Sequence, residues 1–211
     1  VEKKPVHSVV VTIDGEQGAG KTTMMYRFID SFASAKKPCI FFSLEEHPQS
    51  HLARQKASEY ISEGNLPFVD SIGELDSKEQ FYKIIDQYDF IFIDSWQKLI
   101  REIGNIRLDE DLRKRFDGKV FVIIFQQTTT GRTKGGAEIV FDGDIIIKMV
   151  KEARFVDNYA EMDKNRYALR AIDELHYNIA GNYTYSNVEE VPEAAEETQE
   201  REELAYSFQM E

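Results

Sequence analysis

The sequence predicts an α/β protein whose mostly parallel central sheet is flanked by helices on both faces. Three observations predict it. Apolar, β-branched runs recur along the chain and read as strands buried on both sides. Segments with helical spacing lie between them, as crossovers between parallel strands require. A glycine-rich turn joins the first apolar run to the first helical segment.

The elements follow in order. Residues 8–14, Ser-Val-Val-Val-Thr-Ile-Asp, read as a buried strand. A turn over 15–20 leads into a helix from Lys21 to about Ala35, with Met24, Met25, Phe28, Ile29 and Phe32 on its apolar side. Pro38 ends that region, and Cys39–Leu44 is a second strand. Pro48 is expected to open the next helix, where Leu52, Ala53, Ala57, Tyr60 and Ile61 recur at helical spacing. Phe68-Val69 is a short strand. Ser77, with Gln80 three positions on, caps a helix over Lys78–Tyr88. Asp89–Asp94 is the third clear strand, and a charged helical segment follows to about Phe116. Lys119–Phe125 is the fourth clear strand, Asp144–Val150 the fifth, and Tyr167–Ile172 the sixth.

Composition sets the outer limits. Of the 211 residues, 42% are hydrophobic and 12% aromatic, enough for a packed core and against wholesale disorder. No apolar run approaches the roughly 18 residues of a membrane span, and no apolar signal stretch follows Val-Glu-Lys-Lys-Pro. A single cysteine, Cys39, excludes a disulfide framework and any multi-cysteine metal site. His47 and His51 have i,i+4 spacing but no third ligand candidate, so they read as surface histidines. A soluble, cytoplasmic protein of a bacterial or phage-infected cell is expected.

The net charge of −12 is unevenly spread. From Val188 onward nine glutamates and one arginine contribute −8, leaving the first 187 residues with 25 basic and 29 acidic side chains. Residues 1–187 are therefore expected to form the core, and 188–211 a flexible acidic tail. A near-balanced body leaves room for a local basic loop to meet a polyanion.

The first chemistry-bearing motif is Gly15-Glu16-Gln17-Gly18-Ala19-Gly20-Lys21-Thr22, followed by Thr23. It matches G-x-x-x-x-G-K-[ST] in full, with a strand before it and a helix after it. Such a loop turns backbone N–H groups around a β-phosphate, and the helix dipole adds to the attraction. Lys21 would reach the β- and γ-phosphates of ATP, and the Thr22 hydroxyl would ligate Mg²⁺. Asp94 ends an apolar strand and suits holding that Mg²⁺ through water. Glu45, beside Glu46, follows the second strand. It either polarises an attacking water or complements a helix dipole. Gln126 and Gln127 close the fourth strand, as γ-phosphate sensors or as ordinary polar strand ends.

Two basic segments follow. Thr128–Gly136 is hydroxyl-rich, carries Arg132 and Lys134 and lacks acids, which suits contacts to a phosphate backbone. It holds no aromatic, so it offers no stacking of bases. Lys164-Asn165-Arg166 supplies two cations, as fingers on a neighbour's nucleotide or as a solvated charge pair.

Taken together, these residues resemble the RecA-like ATPase core in its RadA/DnaB-like branch, over roughly residues 8–175. The resemblance rests on the P-loop, Ser43-Leu44-Glu45-Glu46, Phe90-Ile91-Phe92-Ile93-Asp94-Ser95, Gln126-Gln127 with its basic loop, and Lys164-Asn165-Arg166-Tyr167. It implies that Glu45 is the catalytic base and that Gln127 senses the γ-phosphate and leads into a DNA-contacting loop. It implies that Lys164 and Arg166 project into the adjacent subunit's site. Arg54 also resembles a recurrent arginine of this branch. Ala168 departs from the pattern, standing where glycine usually follows. The zinc motif, protease-like domain and helical domain of larger relatives are missing, so the chain looks like a minimal recombinase of phages and mobile elements.

The expectation is an ATPase of DNA recombination or repair that assembles head-to-tail as a ring or filament and engages single-stranded DNA. The acidic tail would compete for the DNA loop or recruit a protein partner. A thymidylate-kinase-like enzyme shares the loop pattern, but the chain has no Arg-rich lid and no Asp-Arg-Tyr segment for a substrate base. A non-catalytic, nucleotide-gated assembly protein is the third reading.

Overall fold

A computed structural model describes residues 8–127, 142–168 and 175–186. Within them the chain runs β1 (Val9–Gly15), α1 (Lys21–Ala33), β2 (Cys39–Ser43), α2 (His51–Tyr60), β3 (Val69–Ile72), α3 (Lys78–Ile85) and β4 (Phe90–Asp94). It continues with α4 (Trp96–Ile103), β5 (Val120–Ile124), β6 (Ile145–Val150), β7 (Tyr159–Asn165), β8 (Leu175–Asn178) and β9 (Tyr183–Ser186).

These strands form one sheet in the order β3-β2-β4-β5-β1-β6-β7-β8-β9. The six from β3 to β6 are parallel, with Val11 opposite both Val122 and Ile145. The last three are antiparallel additions. The central strands β2, β4 and β5 are apolar at almost every position because both of their faces are covered, whereas β3, at the sheet edge, exposes Asp70 and Ser71. Val10, Phe42, Ile93 and Phe121 point into a core closed by Phe81 and Ile85 of α3 and Trp96 and Leu99 of α4. Ile13, Phe41, Phe92 and Val122 point the other way, onto Met25, Ile29 and Ala33 of α1.

The α/β architecture and the helix-covered parallel sheet agree with the expectation. Several boundaries do not. Pro48 does not open α2: Ser50 caps it, accepting a 3.0 Å hydrogen bond from the Ala53 amide. Ser77 caps α3 as expected, accepting from the Gln80 amide at 3.1 Å, but the helix stops at Ile85. The segment after Asp94 is two pieces. α4 ends at Gly104, whose φ of 81° favours glycine, and a π-helical turn over Leu108–Arg113 follows.

The strand expected from Tyr167 does not begin there. β7 spans Tyr159–Asn165, so Lys164 and Asn165 end it, and Tyr167 and Ala168 lie in the turn beyond. Residues 169–172 fall outside the described residues. Tyr-Ala-Glu-Met-Asp-Lys-Asn is a half-exposed, polar sequence without the continuous apolar signature of the central strands. The proposed 188–211 tail also lies outside the described residues. Among the described residues, no helix is long and apolar enough to cross a membrane.

Candidate functional site

β2, β4, β5 and β1 are consecutive neighbours in the sheet, and all four point the same way. Their carboxyl ends therefore lie side by side. β2 leads to Glu45, β4 ends in Asp94, β5 leads to Gln126 and Gln127, and β1 leads to the glycine-rich loop. This is the edge at which parallel α/β sheets place ligands. Segments far apart in sequence meet there around a cleft of about 520 Å³, within the usual range for small-molecule sites.

The loop is shaped for an anion. A Cβ on Gly15 would stand 2.6 Å from the Met149 carbonyl oxygen on neighbouring β6, so only glycine fits that approach. Gly20 has φ 96°, the left-handed region, and directly precedes α1. No side chain caps α1, which leaves its first-turn N–H groups to a ligand or water. Lys21 Nζ donates to the carbonyls of Gly15 and Glu16, each at 2.7 Å. Burial holds its ammonium below the ordinary lysine value, while the carboxylates of Asp94, Asp14 and Glu45 act against that shift. A phosphate would offer this cation a stronger partner than two carbonyls.

Asp94 is buried, and its Oδ2 accepts a 2.9 Å hydrogen bond from Thr22 Oγ1. Burial, with the nearby Glu45 charge, pushes its carboxyl up to about 6, while Thr22 and Lys21 pull it down. A hydroxyl and a carboxylate are the hard oxygen donors that Mg²⁺ takes when phosphates and water complete its shell. The described residues hold no cluster of three or more His, Cys, Asp or Glu arranged for a metal. Thr22 and Asp94 would supply two donors to a Mg²⁺ shell that phosphates and water complete.

Glu45 lines the cleft, whereas Glu46 does not. Ser95 Oγ donates to Glu45 Oε1 at 2.7 Å, and Gln126 Nε2 donates to the same oxygen. Gln126 is itself held, its backbone N–H donating to Gln97 Oε1 at 3.1 Å. Gln127 also lines the cleft, but its Nε2 donates to Asp14 Oδ2 at 2.7 Å. The amide coupled to Glu45 is thus Gln126, and Gln127 is tied to the end of β1.

Lys164 and Arg166 lie elsewhere. Lys164 faces Ile146 on β6, three residues or roughly 10 Å along the strand from Met149, which flanks the loop. Its Nζ donates to the Gly143 carbonyl at 2.8 Å, and Arg166 Nη1 pairs with Asp144 Oδ1 at 3.2 Å. Both point toward the end of the sheet opposite their own phosphate loop. Arg54 pairs with Gln49 on the surface. Arg132 and Lys134 lie outside the described residues.

Sequence reasoning passed over several residues that shape the cleft. Ser95 and Gln97 orient Glu45 and Gln126, and Lys56 and Phe155 line the cleft. Asn158, almost fully buried just before β7, donates from Nδ2 to the Gly18 carbonyl at 3.1 Å and steadies the loop. No local pattern marks these residues, because each acts through a partner distant in sequence.

Comparison with known proteins gives the family and the fold. The family profile described as "ATPase: KaiC" matches residues 5–184. A KaiC-like protein of the hyperthermophilic archaeon Pyrococcus horikoshii OT3 superposes with a TM-score of 0.64 at 20% identity, over 85% of this chain and 89% of that one. The flagellar accessory protein FlaH of Methanocaldococcus jannaschii superposes with a TM-score of 0.63 at 14% identity, over 86% and 90%. At these identities the two structures share the fold. No curated protein sequence gives a significant match. The matched family has the RecA-like core expected from the sequence, though the match names KaiC and not the RadA/DnaB-like branch.

Proposed function

Since the chain belongs to the KaiC family of ATPases, we propose that it binds ATP with Mg²⁺ in the cleft above β1, hydrolyses it, and assembles head-to-tail so that a neighbour completes each site. One observation carries the reading. Four adjacent strand ends gather a complete phosphate loop, Thr22 with Asp94, and Glu45 around one cleft.

Residues Gly15 to Thr23 hold the phosphates, with Lys21 leaving its two carbonyl partners for them. Thr22 and Asp94 hold Mg²⁺, which when bound neutralises phosphate charge. Glu45 is the general base that orients and deprotonates the attacking water. Ser95 and Gln126 keep its carboxylate facing the cleft. Gln126 and Gln127 together report the state of the γ-phosphate to the segment that follows.

The placement of Lys164 and Arg166 supports action in trans. They cannot serve their own loop from the opposite end of the sheet, and a head-to-tail contact would bring them to the next subunit's γ-phosphate. The finer reading, a recombination or repair ATPase on single-stranded DNA, rests on the basic composition of 128–136, where Arg132 and Lys134 would meet phosphates. The acidic stretch from Val188 would compete with DNA for that segment.

The test is ATP turnover by the wild-type chain, Lys21→Ala and Glu45→Gln, with and without single-stranded DNA. Loss of binding in the first variant and of turnover alone in the second supports the site. Stimulation by DNA supports the finer reading, and turnover indifferent to DNA removes it.

A further inference from the structure

Phe155 stands half exposed at the lip of the cleft, 49% accessible, on a surface where a large aromatic ring gains little from water. It belongs to a single 3-10 turn, Phe155–Asp157, in the connection from β6 to β7. Its Cε2 lies 3.5 Å from where a Cβ on Gly20 would stand, so the ring edge sits against the last glycine of the phosphate loop.

The turn is firmly held. Asn158 donates its amide to the Phe155 carbonyl at 3.1 Å and its side chain to the Gly18 carbonyl at 3.1 Å. Asn178 Nδ2 donates to the Val156 carbonyl at 2.9 Å. An exposed aromatic is thus fixed at a constant position beside the phosphate loop.

Its side of the cleft matters. In the strand order, β2, β4 and β5, which carry Glu45, Asp94 and Gln126, lie on one side of β1. β6 and β7, whose connection carries Phe155, lie on the other. If Glu45 acts at the terminal phosphate, the nucleoside end of the ligand must leave the loop on the opposite side. That side is where Phe155 stands.

We infer that Phe155 is the base platform of this site, stacking on a purine ring and setting the preference for purine nucleoside triphosphates over pyrimidine ones. The inference rests on the nucleotide-site reading above and adds the residue and the chemical class that it selects. Stacking on an aromatic side chain contributes enough to change affinity by about five- to a hundredfold, and more for purines because their rings overlap more area. Triphosphate alone offers nothing to stack.

The test measures binding of ATP, GTP, CTP and inorganic tripolyphosphate, each with Mg²⁺, to the full chain and to Phe155→Ala, Phe155→Tyr and Phe155→Trp. Phe155→Ala is expected to lose about tenfold in ATP and GTP affinity, less for CTP, and nothing for tripolyphosphate. Phe155→Tyr restores the preference. Phe155→Trp adds an indole whose fluorescence ATP quenches and tripolyphosphate does not, against a background from Trp96, which is buried. Equal losses for ATP and tripolyphosphate would show that the ring only supports the loop, and would overturn the inference. So would unchanged ATP affinity in Phe155→Ala. In both cases the wild-type chain still binds ATP and the nucleotide site stands. A wild-type chain that binds neither ATP nor tripolyphosphate would remove the site itself.

Discussion

Ser95 Oγ donates a 2.7 Å hydrogen bond to Glu45 Oε1, joining the residue after β4 to the residue two past β2. The carboxylate that faces the cleft is therefore aimed from a neighbouring strand. Ser95 is fully buried, so its position is set by packing and passes to Glu45.

Ser95→Ala is expected to lower kcat about tenfold with little change in KM, since a hydrogen bond to a charged carboxylate is worth about 1.5–3 kcal/mol and Gln126 still holds the same oxygen. Glu45→Gln should cost about 10²–10⁴ in kcat while ATP binding persists. Steady-state kinetics on both variants checks this. A fall in ATP affinity equal to the fall in kcat would assign both residues to binding.

Asp144 and Arg166 are expected to separate stability from activity. Asp144 is buried and accepts from the Val10 amide at 3.0 Å, Arg113 Nε at 3.2 Å and Arg166 Nη1 at 3.2 Å. Asp144→Ala leaves the buried Val10 amide without this acceptor and removes one of Arg113's partners, Asp109 and the Asp142 carbonyl remaining, and should cost about 1–3 kcal/mol in urea unfolding. Arg166 is 54% exposed, so Arg166→Ala should cost under about 1 kcal/mol yet depress ATP turnover strongly. Comparable unfolding midpoints for the two variants would refute the distinction.

Asp30 should make α1 sensitive to acid. Burial alone would raise its carboxyl, but hydrogen bonds from the Asn65 side chain and the Ser62 amide and hydroxyl, with Lys36 nearby, hold it below the ordinary value. A depressed folded value means stabilisation that is complete above the unfolded value of about 3.9. It is lost as pH falls from there through the folded value. Asp30→Asn should thus be less stable than wild type at pH 7, by roughly 1–2 kcal/mol, and the difference should shrink below about pH 4. Unfolding at pH 3 and pH 7 measures it.

Cys39 is expected to be inert. It is fully buried on β2, and burial, with the Asp89 carboxylate nearby, pushes its thiol up to about 12. A thiol reagent at pH 8 should leave the native chain unlabelled and label one site per chain in denaturant, since the sequence has one cysteine. Fast native labelling would show that the β2 region opens.

The parallel half of the fold was readable because its strands are buried on both faces, so Phe90–Ile93 and Val120–Ile124 are uninterrupted apolar runs. The phosphate loop was readable because its requirements are local: glycines, a lysine and a hydroxyl at fixed spacing. β7, β8 and β9 were not, because one polar, half-exposed face leaves a strand such as Leu-His-Tyr-Asn with no distinctive pattern. Which of Gln126 and Gln127 meets Glu45 was also hidden. Successive residues at a strand end point in opposite directions, and only the positions of Asp14 and Glu45 decide which amide meets which carboxylate. Asn158 reaches Gly18 across 140 residues, a relation that no window of sequence contains.

Complementation between two inactive variants tests the account most directly. On the proposed reading, Glu45→Gln removes the base from a subunit's own site, and Arg166→Ala removes the cation given to the next. Each alone should be nearly inactive. Mixed in equal amounts and allowed to assemble, they should recover about a quarter of wild-type ATP turnover, the share of interfaces that pair an intact Glu45 with an intact Arg166. No recovery, with both variants shown to co-assemble, would contradict a site shared between neighbours.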